Sequence, residues 1–290
     1  MNKLVTAALG RPVIQATCAW ALAELPGTVG LLRLANPPAQ EAFTAFVRTL
    51  QSTDPHAPTR CVGWNVHELT AHLAAGSAEI ADLIELELDG APTRPTRDFE
   101  EREAPYRALT PKKLRRAFFR QALRVTVAVE RLSQAGPNRS VTFTGAPLDA
   151  PTLLLHSESE LVLHRWDIVG NDQISIRALS DPRFGVHAAT TVAAMQPNVF
   201  PARAGEYTTV ILRSPSTTDV AVTGGSITTI GPAPHDPGYA VVECHPAART
   251  LLLWGRNPQP GLPEPVGDPE AVAAVTTMLR PDPTPGHGPP

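Results

Sequence analysis

The stretch Glu160-Leu161-Val162-Leu163-His164-Arg165-Trp166-Asp167 decides how this chain is interpreted. It lies in an apolar-periodic run, from about Thr152 to Ile168, that predicts a helix. Glu160 and His164 are one turn apart on one helical face, and Asp167 follows on the same side. Because apolar residues share this stripe, we predict that the acidic and imidazole groups point inward.

A carboxylate that points inward needs a partner, because burying an unpaired charge is costly. A divalent metal is one such partner, since imidazole and carboxylate both occur as ligands in catalytic zinc sites. The other interpretation is a hydrogen-bonded core histidine beside a glutamate on a solvated face. The octet alone is compatible with both.

A second stretch, Cys61-Val62-Gly63-Trp64-Asn65-Val66-His67-Glu68-Leu69-Thr70-Ala71-His72-Leu73-Ala74, predicts the start of another helix. Asn65 is a favourable N-cap, and Glu68 stands where it can reach back to the cap's backbone N–H. The helix is predicted to end at about Leu88, before Gly90. His72 lies on its apolar face, where a packed core histidine is the alternative to a ligand.

Four amphipathic segments together predict an antiparallel helix bundle. They run over about 39–51, 65–88, 110–134 and 152–168. Sites in bundles form from inward side chains on facing helices, so His72 can complete a set of two histidines and one glutamate with Glu160 and His164. The segment from Ala91 to Leu109 is predicted to be a charged linker in which residues 100–103 form a solvated face.

From Asn171 onward the composition changes to short segments rich in Val, Ile, Thr and Tyr. Strands are predicted at 207–213, 219–223, 226–230 and 239–244, with helices at about 184–195 and 246–254 and a last helix from 268 to about 280. The fold class is therefore α+β overall, with an N-terminal antiparallel four-helix bundle followed by a small α+β domain.

We predict four units along the chain. Residues 1–38 form an N-terminal extension, 39–170 a four-helix metal-binding domain, and 171–257 the small α+β domain. Residues 258–290 contain the last helix and a Pro/Gly-rich tail that is predicted to be disordered from Pro281.

Composition limits the classes of partner. The formal net charge of −3 gives no electrostatic case for binding nucleic acid or an anionic membrane surface. No run of eighteen apolar residues predicts a membrane span. The three cysteines are widely spaced without a CxxC pair, which favours a reducing cytoplasm. A monomer and a homodimer are both compatible with the sequence.

Three stretches together resemble one known family. They are the Cys61–Ala74 stretch, the Glu160–Asp167 stretch and Leu251-Leu252-Leu253-Trp254-Gly255-Arg256. In order and spacing they are similar to the mycothiol-dependent maleylpyruvate isomerase family, whose bundle domain belongs to the DinB-like superfamily. The similarity extends over about residues 39–256, and the N-terminal extension and the tail fall outside it.

The resemblance implies a zinc site made by His72, Glu160 and His164, with one position open to water or a thiol. It implies that Asp167 does not bind the metal but holds the imidazole of a ligand histidine in place. Arg256 resembles an arginine that the family uses near the substrate, where it would bind a carboxylate. His156, on the same helix as the proposed ligands, is predicted to lie on the surface.

The expected function is a zinc-dependent and mycothiol-dependent isomerase or S-transferase. Its partners would be a low-molecular-weight thiol and a small electrophile that carries a carboxylate. Two alternatives from other classes are a DinB-like hydrolase that uses zinc-activated water, and a non-catalytic binding or regulatory protein that keeps a structural metal.

Overall fold

The structure is a computed structural model that describes residues 37–192, 194, 209–215, 217–223, 226–231 and 239–278. Two predicted features lie outside the described residues: the first 36 residues of the extension and the tail from Pro281. The division into four units stays a prediction. The α+β fold class is confirmed, with a helical N-terminal part and a mixed C-terminal part.

The helical part contains five helices and one hairpin among the described residues. In chain order they are α1 (Pro37–Ser52), α2 (Val66–Leu88), α3 (Phe99–Arg107), α4 (Pro111–Ala135), β1 (Ser140–Phe143), β2 (Ala146–Asp149) and α5 (Ala150–Val169). Helix α2 packs along α4, α1 packs along α5, and α5 also contacts α2 and α4. The four long helices correspond to the four predicted segments.

Local signals explain where the two site-bearing helices begin. The Asn65 side chain accepts a hydrogen bond from the Glu68 backbone N–H, and the Glu68 side chain accepts one from the Asn65 backbone N–H. The predicted capping box therefore forms. The Asp149 side chain caps α5 by accepting from the backbone N–H of Thr152. Leu69 and Leu153 are fully buried and anchor the two helices in the core.

The predicted linker between α2 and α4 contains a helix, so that prediction was wrong in part. Asp98 caps α3 by accepting from the Glu101 backbone N–H, and Pro105 lies inside the helix. Arg102 and Glu103 are buried, whereas the sequence predicted a solvated face there. The error arose because charged residues and a proline are typical of exposed connectors.

The C-terminal part combines helices with a five-stranded sheet among the described residues. Its elements are α6 (Gln173–Leu179), α7 (Pro182–His187), a π-helical turn (Ala188–Val192), β3 (Thr209–Arg213), β4 (Asp219–Thr223), β5 (Ser226–Ile230), β6 (Tyr239–Glu243), α8 (Pro246–Leu253), β7 (Val266–Gly267) and α9 (Pro269–Met278). The strand order is β5-β4-β3-β6-β7, in which β3 and β6 are parallel and the other neighbours are antiparallel.

The predicted strands agree with β3 to β6, while the helical segment before them differs. The sequence predicted one helix at 184–195, and the structure has α7 followed by the π-helical turn. Asp181 and Pro182 set the start of α7, because the aspartate caps the helix and proline suits its first turn.

The two parts share one hydrophobic core. Leu163 and Trp166 of α5 pack in the same cluster as Leu251 and Trp254 of the C-terminal part. Helix α5 therefore contacts the bundle on one side and the sheet-bearing part on the other. None of the described helices has both the length and the apolar composition that a membrane crossing requires.

Candidate metal centre

Three side chains from α2 and α5 converge at the centre of the bundle. Nε2 of His72 lies 3.4 Å from Oε2 of Glu160, and Nε2 of His164 lies 3.5 Å from the same oxygen. The two imidazole centroids are 5.2 Å apart. The potential ligand atoms of these three residues all lie within 4.8 Å of one another. The structure thus brings together His72, Glu160 and His164, as the sequence predicted.

The other nitrogen of each imidazole is held by a buried carboxylate. Nδ1 of His164 is 2.8 Å from Oδ2 of Asp167, and Nδ1 of His72 is 2.8 Å from Oε1 of Glu103. A carboxylate at Nδ1 fixes the ring orientation and makes Nε2 a more basic ligand. Asp167 thus has the contact that was expected of it, whereas Glu103 was not identified from the sequence.

The electrostatics of the centre favour a positive charge between the imidazoles and Glu160. Burial opposes ionisation of Glu160, but hydrogen bonds from His164 and His72 outweigh it and hold its pKa well below the usual range. Burial likewise opposes protonation of His164, yet contacts with Asp167, Cys61 and Glu160 raise its pKa well above the usual value. A metal cation bound here would take the place of that proton.

A comparison with known families found a match to the helical part of the chain. Residues 37–169 match the profile described as "Mycothiol maleylpyruvate isomerase N-terminal domain". The match covers just under half of the chain. The match begins at α1 and ends at the last residue of α5, so it contains all three converging side chains.

Two solved structures are similar in fold to a large part of this chain. One is titled as the crystal structure of the mycothiol-dependent maleylpyruvate isomerase, and the other is a histidine-to-alanine mutant of it. Both superpose with a TM-score of 0.53 over 78% of this chain and 93% of the other chain, at 19% and 20% identity. At this identity the likeness establishes a shared fold. A comparison with curated proteins found no match.

A cavity of about 320 Å³ opens beside the imidazoles. Its walls are mainly apolar and include Phe43, Leu73, Ile80, Phe99, Phe118 and Trp254. His72 and Glu160 contribute to its lining, together with the polar side chains of Arg102 and His156. An apolar cavity with a few converging polar groups is typical of small-molecule sites.

Arg102 is the cationic group of this cavity. Its side chain is buried, and its guanidinium lies 4.3 Å from the ring centroid of Phe99. Nε has no hydrogen-bond partner among the described residues. Burial lowers the pKa of the guanidinium, and neighbouring Glu103 partly offsets this effect. Because this buried Nε–H has no acceptor among the described residues, the cavity suits a negatively charged ligand.

Arg256, the residue expected to bind a substrate carboxylate, lies elsewhere. Its Nε is 3.1 Å from Oδ1 of Asp167, and its Nη1 donates to the carbonyl oxygen of Trp254 at 3.0 Å. The side chain is buried behind His164 and is absent from the cavity wall that the described residues form. This position does not suit the predicted substrate contact, because Asp167 already occupies the guanidinium.

His156 is buried as well, so the prediction that it lies on the surface was wrong. Its ring lies 3.2 Å, Nδ1 to Nε2, from His187 of α7. Its spacing on α5 is informative in retrospect, because it precedes Glu160 by one turn and shares that inward stripe. His187, which contacts this ring, is distant in the sequence. No local pattern therefore indicated that His156 is buried.

Cys61 lies next to His164 and Asp167. Its thiol, a ring nitrogen of His164 and a carboxylate oxygen of Asp167 also form a close group that could hold an ion. The Arg256 guanidinium approaches it, with Nη2 3.6 Å from Sγ. Because a cationic side chain already neutralises Asp167, the group around Cys61 is less suited to a metal than the first one.

Proposed function

We propose that this protein is a zinc-dependent and mycothiol-dependent isomerase or S-transferase that acts on a small electrophile bearing a carboxylate. The observation that carries the proposal is the convergence of Nε2 of His72 and Nε2 of His164 on one oxygen of Glu160. Both rings are held in that orientation by carboxylates at Nδ1.

The residues fit a zinc ion by their chemistry. His72, Glu160 and His164 would hold it, and two imidazoles with one carboxylate are a donor set of catalytic zinc sites that keep a fourth position open. A zinc ion there would supply a positive charge that lowers the pKa of a thiol at that position. The name of the matching domain supports mycothiol as this thiol.

The chain's own residues would position the reactants. Glu103 and Asp167 keep the two imidazoles oriented, and Arg102 would pair with the carboxylate of the electrophile. The cavity wall is mainly apolar, and such surroundings would strengthen each of these electrostatic contacts. The buried Nε–H of Arg102, which has no acceptor among the described residues, is what supports a carboxylate-bearing substrate.

The reaction follows from thiol addition. In the isomerase form, a thiolate adds to a cis double bond, the new single bond rotates, and expulsion of the thiolate leaves the trans product. In the transferase form, the carbon–sulfur bond is kept and the other carbon of the former double bond takes up a proton. The same arrangement of residues serves both outcomes.

Metal content and thiol-dependent activity together test this proposal. We expect about one zinc per purified chain, and loss of most of it in His72→Ala and in His164→Ala. His67→Ala is the matched control, because its ring bonds to the carbonyl oxygen of Arg107 instead. Conversion of maleylpyruvate should require added mycothiol.

Each alternative predicts a different result. Hydrolytic activity without a thiol would favour zinc-activated water as the nucleophile. Bound zinc with no activity on any thiol and electrophile pair would indicate a structural metal in a binding protein. Full zinc retention in both alanine variants would contradict the site itself.

A further inference from the structure

A second pair of imidazoles, His156 and His187, is not used by the proposed zinc site, and the first of them lines the cavity. His156 lies on α5 one turn before Glu160 and lines the same cavity. Its nitrogens are outside the two groups of potential ligand atoms found among the described residues. His156 therefore has a position next to the reacting centre without being one of its ligands.

His187 of α7 contacts the Nδ1 side of the His156 ring. Nδ1 of His156 and Nε2 of His187 are 3.2 Å apart, and both side chains are buried. The Trp254 ring packs against both, with centroid distances of 6.3 Å. Because Nδ1 faces His187, Nε2 is the ring nitrogen of His156 that is left for the cavity, and it bonds to none of the described residues.

The contact between the rings determines where the protons are. Burial lowers the pKa of both imidazoles, that of His187 to about 3, so both rings are neutral and each carries one N–H. The two facing nitrogens share one hydrogen. Either His187 donates from Nε2, or His156 donates from Nδ1.

The far nitrogen of His187 decides between these two arrangements. Nδ1 of His187 is buried and has no partner among the described residues. If His156 donated, Nδ1 of His187 would carry an unmet N–H, and orphaned buried N–H groups are rare because they are costly. If His187 donates from Nε2, its Nδ1 keeps only an unused lone pair. Donation by His187 therefore leaves His156 with its proton on Nε2.

We propose that His156 presents Nε2–H to the cavity as a neutral hydrogen-bond donor for a carbonyl oxygen of the substrate, and that His187 is the positioning residue that selects this tautomer. The assignment of the oxygen rests on the proposed function. A carbonyl conjugated with the reacting double bond is the substrate class that this donor would favour.

The donor would act on charge that develops during addition. When a thiolate forms the carbon–sulfur bond, the π electrons of the alkene move through the conjugated system, and the carbonyl oxygen becomes an enolate oxygen. A neutral N–H stabilises this oxygen by a hydrogen bond without transferring its proton. Collapse of the enolate re-forms the carbonyl and the alkene and expels the thiolate, so all atoms and electrons are conserved. Donors aimed at such an oxygen are worth about 100-fold in kcat.

The tautomer can be observed directly. We would label the holoenzyme with ¹⁵N-histidine, assign the His156 ring by its disappearance in His156→Gln, and record long-range ¹H–¹⁵N NMR spectra. We expect a protonated Nε2 and a bare Nδ1. In His187→Phe the Nε2–H form should lose population, whereas His187→Gln, which keeps a donor, should retain it. A wild-type His156 protonated at Nδ1 would overturn the proposal.

Kinetics test the contact with substrate. His156→Phe keeps the ring packing but removes the donor, and we expect kcat for maleylpyruvate to fall about 100-fold while zinc content is unchanged. His156→Gln should recover most of kcat, because its amide N–H can replace Nε2–H. An unchanged kcat in His156→Phe would overturn the contact. Wild-type protein without isomerase activity but with the Nε2–H tautomer would contradict the assigned reaction and support the donor.

Discussion

Glu103 and Arg102 are neighbours in α3, yet their side chains serve different parts of the site. Glu103 accepts from Nδ1 of His72, and it also pairs with Arg107 at 3.0 Å. Arg102 turns its guanidinium toward the cavity. At the scale of single residues, the site therefore depends on two charged side chains that burial has removed from water.

Glu103→Ala should weaken zinc binding by about 10- to 100-fold, because His72 would lose the carboxylate that orients its ring. Competition with a chromophoric chelator would measure the dissociation constant. Glu100→Ala is the matched control, since Glu100 belongs to the same helix and its side chain is 81% exposed. Equal zinc affinity in the two variants would show that Glu103 does not support the metal site.

Arg102→Met should raise KM for a carboxylate-bearing electrophile by about 10- to 100-fold, which is the usual range for losing hydrogen bonds to a charged group. Zinc content should not change. Arg131→Met, on the exposed side of α4, is the control. An ester of the same electrophile should bind both variants alike. A KM that responds equally for acid and ester would argue against a role in carboxylate binding.

At the scale of elements, caps and apolar stripes allowed α2 and α5 to be predicted to within about two residues. Helix α3 could not be predicted in this way, because its buried residues are charged and their partners are distant in sequence. His156 presents the same difficulty, since its burial depends on His187 and Trp254. Local patterns thus predicted the three converging side chains, while the groups behind them required the tertiary structure.

Glu79 of α2 fixes the connection that leads into α3. It is fully buried and accepts hydrogen bonds from Arg94 at 3.0 Å and Arg97 at 2.7 Å. Burial alone would raise the pKa of this carboxyl, but the hydrogen bonds from the two arginines outweigh burial and bring it to about 2. A pKa below the unfolded value of about 4.5 means that Glu79 stabilises the fold above pH 4.5 and loses this effect as the pH falls toward 2.

Glu79→Gln should therefore destabilise the protein most at pH 7, and the difference from wild type should shrink below pH 4.5. Denaturant unfolding at pH 7 and pH 3 would measure it. Glu130→Gln, which is exposed on α4, should change the free energy of unfolding by no more than about 0.5 kcal/mol. A Glu79→Gln effect of the same size at both pH values would contradict the assignment.

At the scale of the whole molecule, the buried pair of Asp167 and Arg256 joins α5 to the segment after α8. Burial raises the pKa of the Asp167 carboxyl, but Arg256 and His164 outweigh this effect and lower it well below its usual range. The residue that orients His164 is thus kept charged by the C-terminal part of the chain.

Arg256→Gln should lower the free energy of unfolding by about 3 kcal/mol, because it leaves Asp167 as a buried charge without its guanidinium partner. Arg177→Gln is the matched control: its pair with Glu41 is 72% exposed on both sides, so the loss should stay below about 1 kcal/mol. Unfolding of the substrate-free proteins in urea would measure both. Equal stabilities would indicate that Arg256 is free for another role.

The two carboxylates that hold the imidazoles differ in how they reach them. Asp167 lies on the same helix as His164, so this half of the centre is assembled as soon as α5 is helical. Glu103 reaches His72 from another helix, so the second half is assembled only when α3 docks on α2. During folding, the contact between Asp167 and His164 can therefore form before the contact between Glu103 and His72. A chain in which α3 is undocked would keep Glu160 and His164 in place on α5, but the His72 ring would lose the carboxylate that fixes its orientation.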